Sequence, residues 1–297
     1  MNRLSPAALE QFAVALAAFA EGDLASAIQA SRRAQSAAPQ SRLAHEATRY
    51  LEHIATAGSE SVYSSGEAFG AFIRGGGNLA LYAALSGTLR RIYHSIGALT
   101  LLDIGVGDGM ALLPALVPSV QHVDLVEPSL PMLERTSSAL AARGVAFRTF
   151  ALTLQSFAEH VGNEQWDLVQ ASFSLQSLPP ADRQAALGWL RGRTGRLLIA
   201  EFDPPNLGPG LDPARIAHVT ARYELGLDEY VGDDGLVAQG FLTPIFFSAF
   251  DPGIARTNYE QPIDAWVADL HTAGFTQVTR HHLYDYWWAP AYLLDAV

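Results

Sequence analysis

The chain has 297 residues, 49% of them hydrophobic, which suffices for one large domain or two small ones around a full core. It has no cysteine, so disulfides, thiolate metal sites and cysteine nucleophiles are excluded. A net charge of −11 disfavours nucleic acid, whose affinity comes mostly from basic neutralisation of phosphates. All 19 basic residues other than histidine are arginine, and without lysine there is no Schiff-base chemistry and no P-loop lysine. No basic-then-apolar signal opens the chain, because Glu10, Glu21 and Asp23 break the first apolar residues. A soluble cytoplasmic protein that does not engage a membrane is expected.

Residues 6 to about 51 read as helical. In "FAEGDLASAIQASRRAQSAAPQS", Gly22, Ala27, Ala34 and Pro39 fall at spacings of 5, 7 and 5. This resembles one tetratricopeptide repeat, with glycine at a tight turn, alanines where two helices touch, and proline closing the second helix. One unit is either a peptide-binding module or a helical hairpin packed on its neighbour. "ATAGSESVYSSGE", residues 55–67, is small and polar and reads as a linker. Gly75, Gly76 and Gly77 before Asn78 then lead into a capped helix.

From Leu99 onward short apolar runs alternate with helical stretches, at residues 100–104, 122–126, 145–150, 167–171 and 196–202. Ser129 is placed to cap the helix "MLERTSSALAAR", Gly144 to close it, and Gly192 to close "ADRQAALGWLR". Such alternation specifies a parallel α/β sheet with ligands at the carboxyl ends of its strands. After the fifth strand, "AEFDPPNLGPGLDPARI" leaves the sheet, and residues 205–250 form an aromatic-rich insertion long enough for a lid. "PIDAWVADLHTAGF" is an amphipathic helix, and "TQVTRHHLYDYWWAP" is assigned to two edge strands, antiparallel, with Trp287 and Trp288 near the mouth. The predicted domains are a helical extension, 1–57, and a sheet domain, 58–297, carrying the 205–250 insertion.

The informative stretch is "LLDIGVGDGMALLPAL". Asp103 ends the first strand, and Gly105, Gly107 and Gly109 make the turn. A nicotinamide or flavin fingerprint, G-x-G-x-x-G, would put glycine where Met110 stands. Eighteen residues beyond Gly109, Glu127 ends the second strand in "VDLVEPS", where a carboxylate can accept bonds from two adjacent ribose hydroxyls.

Together "DIGVGDG" and "VDLVEPS" resemble the class I S-adenosylmethionine-dependent methyltransferases, over about residue 75 to the C-terminus. The resemblance implies a seven-stranded, mostly parallel sheet with an antiparallel edge strand, helices on both faces, and S-adenosylmethionine as cofactor with S-adenosylhomocysteine as product. It places Asp103, Gly105 and Gly107 against the methionine part of the cofactor, Glu127 on the ribose, and Pro128 and Ser129 near the adenine. Arg74 or Tyr82 would reach the carboxylate tail. The family often has an acidic residue after the third strand; "RTFALTLQSFAEH" has none before Glu159, so Thr153 or Gln155 must serve. The end of the fourth strand, "WDLVQASFSLQSLPP", lies beside the transferred methyl in this family, which makes Ser172, Phe173 and Gln176 pocket residues.

Acceptor contacts are expected from Tyr223, Phe241, Phe247, Trp287 and Trp288, and base candidates are His281, His282, Glu201 and Tyr230. Only one of the adjacent histidines can point inward from a strand. No metal-ligand spacing is present, so a metal-independent enzyme is expected. The expected activity is methyl transfer to a small, largely apolar or aromatic molecule in specialised metabolism, by a possible homodimer. The alternatives are non-methylating chemistry with the same cofactor (cyclisation or decarboxylation) and an interaction protein that keeps the fold as scaffold. A nicotinamide oxidoreductase is disfavoured by Met110.

Overall fold

A computed structural model describes residues 4–57, 66–232 and 235–297. In chain order the elements are α1 (Pro6–Ala20), α2 (Leu24–Ala37), α3 (Arg42–Ala57), α4 (Gly66–Ile73), α5 (Asn78–Ser95), β1 (Leu99–Ile104), α6 (Leu112–Ala115), β2 (Val120–Val126) and α7 (Leu130–Ala142). They continue with β3 (Ala146–Phe150), α8 (Leu154–His160), β4 (Leu168–Ser172), α9 (Pro180–Arg191), β5 (Leu197–Phe202), α10 (Pro213–Asp228), α11 (Thr243–Ser248), α12 (Ile263–Thr272), β6 (Val278–Asp285) and β7 (Pro290–Ala296). Most of the expected linker lies outside the described residues. Among them, no helix is long and apolar enough to cross a membrane.

The chain divides into two compact units, Met1–Leu79 with Asn206–Arg256 and Ala80–Pro205 with Thr257–Val297. The second is the sheet unit. Its seven strands run in the order β3-β2-β1-β4-β5-β7-β6. β1 to β5 pair in parallel, and β7 runs antiparallel to both β5 and β6. The reversed strand therefore lies one place in from the edge, and β6 is outermost. β1, β4 and β5 are buried almost throughout, because apolar clusters cover both faces of the sheet. Trp287 and Trp288 fall in the turn between β6 and β7 rather than on a strand. Two expected helix signals act differently. Ser129 makes no side-chain cap bond, and Gly192 closes α9 at φ −74°, without the positive φ of +68° that Gly144 adopts.

The first unit is helical. Gly22, at φ +78°, turns α1 into α2, and Ala27 and Ala34 are fully buried where small side chains let helices approach closely. The insertion belongs to this unit. Phe247 stacks between Phe19 at 4.8 Å and Tyr50 at 5.3 Å, while Phe246 meets Phe12 and Tyr223. The expected division had counted residues 205–250 with the sheet and cut the chain after residue 57. These ring contacts and one carboxylate explain the different grouping. From α10, Glu224 accepts from Ser41 Oγ at 2.6 Å, Arg42 N at 2.8 Å and Leu43 N at 2.9 Å. It thereby satisfies the exposed N–H groups that open α3. Glu224→Ala is expected to destabilise this unit by about 2–3 kcal/mol, the scale of lost charged hydrogen bonds at a buried cap. Urea unfolding of the full chain, followed by far-ultraviolet dichroism, reads this directly, and an unchanged transition would remove the clamp role.

Candidate functional site

The loop after β1 takes its shape from three alternating glycines. Gly105, Gly107 and Gly109 sit at φ +68°, +58° and +81°, a region that side chains with a Cβ avoid. Four hydrogen bonds fix the turn. Gly105 N donates to Val126 O at 2.7 Å, Gly107 N to Glu127 Oε2 at 3.0 Å, and Gly109 N to Val106 O at 3.1 Å. The buried hydroxyl of Thr136 on α7 donates to Gly107 O at 2.8 Å.

The glycines differ in what lies before them. A Cβ on Gly105 would sit 2.4 Å from Ser174 Cβ, whereas one on Gly107 would meet nothing within 4 Å. Gly107 therefore faces open space, and Gly105 packs on the turn after β4. Glu127, 8% exposed, accepts Gly107 N on one oxygen and Ser129 N on the other, at 2.8 Å. A carboxylate has about four lone-pair sites, so capacity for about two more donors remains.

Asp103 lies beneath this loop, 2% exposed. Its Oδ2 accepts from Gln170 Nε2 at 2.7 Å, and the hydroxyl of Tyr93 on α5 donates to the Oε1 of the same amide. Burial pushes the Asp103 carboxyl up to about 7; the Gln170 bond opposes this and the Glu127 carboxylate adds to it. Gln170 and Tyr93 were not singled out from sequence, although a glutamine inside "DLVQAS" is a polar residue within a strand buried on both faces.

At the carboxyl ends of β4 and β5 lies a run of aromatic rings. Phe173 stacks on Phe202 at 4.7 Å and meets Tyr82 edge-on at 6.0 Å. Phe202 stacks on Tyr286 at 5.3 Å, and Tyr286 leads to Trp287 at 5.4 Å and on to Trp288 at 6.1 Å. Trp288 Nε1 donates to Glu260 at 2.9 Å. Phe173 is the one non-glycine residue at positive φ among those described, at +54°. Strain of this kind persists where the surroundings over-determine it. Here Phe173 N donates to Ala200 O at 2.9 Å, Gln176 Nε2 donates to Phe173 O at 3.3 Å, and Ser174 Oγ donates to Ile104 O at 2.8 Å. Burial, with a contribution from Asp108, pushes the Tyr82 phenol up to about 12.

The structure thus brings together Tyr82, Asp103, Gly105, Gly107, Glu127, Ser129, Ser172, Phe173 and Gln176 around the ends of β1, β2 and β4. Pro128 is exposed beside them. Thr153 caps α8 through Ser156 N at 3.3 Å, so its hydroxyl already has a structural partner.

The other expected residues belong to the helical unit or to the last three strands. Arg74, on the helical unit, donates to Gly70 O at 3.5 Å. In the same unit Tyr223 and Phe247 are buried in the ring cluster, Phe241 packs on Phe72 at 4.5 Å, and Tyr230 donates to Phe72 O at 2.8 Å. All four make these contacts within that unit. His281 and His282 stand on the outermost strand, three strands from β4 and so about 14 Å away. His282 bonds Asp285 at 2.9 Å there. Glu201 points away from Phe202, since alternate strand residues take opposite faces. It is 1% exposed and accepts Gln176 N at 3.2 Å, and burial holds its carboxyl well above the usual range. Glu201 therefore buttresses the turn after β4 instead of facing the rings.

No protein-family model matches the chain, and no curated protein matches it in sequence. Among solved structures, SCL7 from Oryza sativa is similar over 99% of this chain and 100% of its own, at 14% identity and a TM-score of 0.60. A candidate O-methyltransferase from Nostoc punctiforme is similar over 98% of this chain and 72% of its own, at 14% identity and a TM-score of 0.49. Magnesium protoporphyrin IX methyltransferase from Synechocystis, solved with SAM bound, is similar over 85% of this chain and 96% of its own, at 13% identity and a TM-score of 0.49. The sheet order with β7 reversed completes what the two motifs implied. The chain has the class I methyltransferase fold. At these identities the likeness is one of architecture alone.

Two predictions follow from the loop. Gly105→Ala is expected to destabilise the protein by about 3 kcal/mol, from left-handed strain plus overpacking against Ser174, and Gly107→Ala by only about 1 kcal/mol. Equal shifts in thermal unfolding would contradict the difference in surroundings. Asp103 binds its proton more tightly folded than unfolded, so its contribution to stability declines as pH rises from about 4 to about 7. Asp103→Asn should be near neutral at pH 4 and stabilising at pH 8, by roughly 3–4 kcal/mol. A stability difference that does not change between those two pH values would show that the carboxyl is not held neutral.

Proposed function

We propose that this protein is an S-adenosylmethionine-dependent methyltransferase acting on a small, largely apolar or aromatic acceptor. The observation that carries this reading is Glu127, a nearly buried carboxylate fixed by Gly107 N and Ser129 N at the end of β2, beside the open space before Gly107. Its two remaining acceptor sites suit a vicinal diol. The Gly107 opening suits the close approach of an aminoacyl-sulfonium chain.

Charge and helix length support the same choice over a dinucleotide. A pyrophosphate site needs the N-terminal dipole and free N–H groups of a real helix. Here the loop runs into α6, which has four residues. The carboxylates of Glu127 and Asp108 flank the loop, and Arg135 lies 3.7 Å from Asp108. Such a field attracts a cationic ligand and repels a diphosphate.

When bound, S-adenosylmethionine supplies an electrophilic methyl group for in-line displacement. The chain supplies position and dryness. Glu127 would fix one end of the ligand, the β1 loop would approach its chain, and the Phe173–Phe202–Tyr286 stack lines the ends of β4 and β5 with apolar rings. Flat aromatic acceptors fit such a surface, since offset stacking adds to simple burial. A base is needed only where the acceptor is a neutral hydroxyl or an unactivated carbon.

Titration calorimetry with S-adenosylhomocysteine, run beside NADH, is the first test. Micromolar binding of the former alone is expected, and binding of NADH would overturn the reading. Glu127→Ala should weaken the former by roughly 1–3 kcal/mol. Since that variant also frees Gly107 N, Glu127→Gln should retain part of the affinity. Formation of S-adenosylhomocysteine from S-adenosylmethionine with an aromatic acceptor separates methyl transfer from cyclisation or decarboxylation.

A further inference from the structure

A threonine inside a helix has a ready partner, because its hydroxyl can donate to the carbonyl four residues back. Thr48, Thr56, Thr88, Thr220 and Thr272 all do so, at 2.6–3.1 Å. Thr136 does not. Fully buried on α7, it donates to Gly107 O at 2.8 Å, 29 residues away in the loop after β1. Its methyl meets the same loop, since a Cβ on Gly109 would lie 3.1 Å from Thr136 Cγ2.

Gly107 needs such a hold more than its neighbours do. It sits at φ +58°, and a Cβ there would meet nothing within 4 Å, so packing does not decide its conformation. Two hydrogen bonds act in place of packing. The Gly107 N–H donates to Glu127 Oε2 at 3.0 Å, and the Gly107 carbonyl accepts from Thr136. Arg135, the residue before Thr136, pairs with Asp108 of the loop at 3.7 Å, but the arginine is exposed and such a pair orders little. The buried hydroxyl is therefore the contact from the body of α7 that fixes the Gly107 peptide.

We propose that Thr136 is a positioning residue for cofactor binding, whose hydroxyl holds the Gly107 peptide in the orientation that receives the cofactor's chain. This rests on the cofactor reading above. Thr136 acts through Gly107 and needs no contact with the ligand. Without the hydroxyl, the Gly107 carbonyl loses its donor and the peptide is free to turn. Binding must then order that peptide, and affinity falls by the cost of doing so.

The test is titration calorimetry of the full chain with S-adenosylhomocysteine, on the wild type and on Thr136→Ser, Thr136→Val and Thr136→Ala. Thermal unfolding of each sets a temperature at which all are folded. Serine keeps the hydroxyl without the methyl, valine keeps the shape without the hydroxyl, and alanine keeps neither. The wild type and Thr136→Ser should bind within about twofold of each other, and the other two roughly five- to tenfold more weakly, the scale of one hydrogen bond. If Thr136→Val does not fold, the serine and alanine variants still isolate the hydroxyl. A merely structural Thr136 would lower the unfolding temperature of the valine and alanine variants and leave the affinity of the folded protein unchanged. That result would overturn this proposal and leave the cofactor reading intact. Equal weakening in all three variants would assign the effect to the methyl against Gly109, and would also overturn it. Absence of wild-type binding would overturn both.

Discussion

Glu127 ties the end of β2 to the middle of the glycine loop, and the rest of the site depends on that tie. Three glycines at positive φ have little preference for any one conformation, so the loop's shape has to be imposed from outside. One carboxylate oxygen takes Gly107 N and the other takes Ser129 N, joining the loop to the start of α7. Thr136, two turns along that helix, returns to Gly107 O. The same carboxylate that would meet a ribose is thus already ordered by the backbone. Ordering of this kind reduces what binding must immobilise, which is where preorganised sites gain affinity.

The sheet was legible because apolar runs of strand length alternated with capped helices, and β1 to β5 begin and end within two residues of the expected runs. The paired acidic residues at the ends of β1 and β2 were legible for the same reason: strand ends in a parallel sheet are where ligands meet the chain. Other features were not. "YDYWWAP" has the aromatic content of a strand, yet it forms the turn that reverses the chain into β7. Buried aromatic rings and ligand-facing aromatic rings have the same composition. Nothing in "FLTPIFFSAF" reveals that Phe246 and Phe247 close on Phe12, Phe19 and Tyr50, more than 190 residues earlier in the chain. The Glu224 clamp on α3 is equally silent, because a helix N-terminus can be capped by any carboxylate that tertiary structure delivers.

The histidines show what local patterning leaves out. "HHLYD" places two imidazoles in a strand, and strand alternation alone suggests that one faces inward. Sheet order adds what that pattern lacks: β6 is outermost, with β7 and β5 between it and β4. Glu201 illustrates the complementary case. Its place at the end of β5 suits a base, but its orientation buries it beneath the turn that carries Phe173, where it holds Gln176 N. Distance from the reacting centre is set by topology, which no local window of sequence contains.

The electrostatics of the loop follow from what is missing beside Asp103. A buried carboxylate is usually matched by a cation, and such a pair would have no attraction left for a ligand. Gln170 donates to the carboxyl and Tyr93 holds the Gln170 amide from its other end, and neither supplies charge. Burial raises the affinity of that carboxyl for a proton, while the Gln170 donor acts the other way. The negative charge of Glu127 adds to the affinity of Asp103 for a proton. The surroundings of that carboxyl are set by neutral residues that sequence patterns pass over.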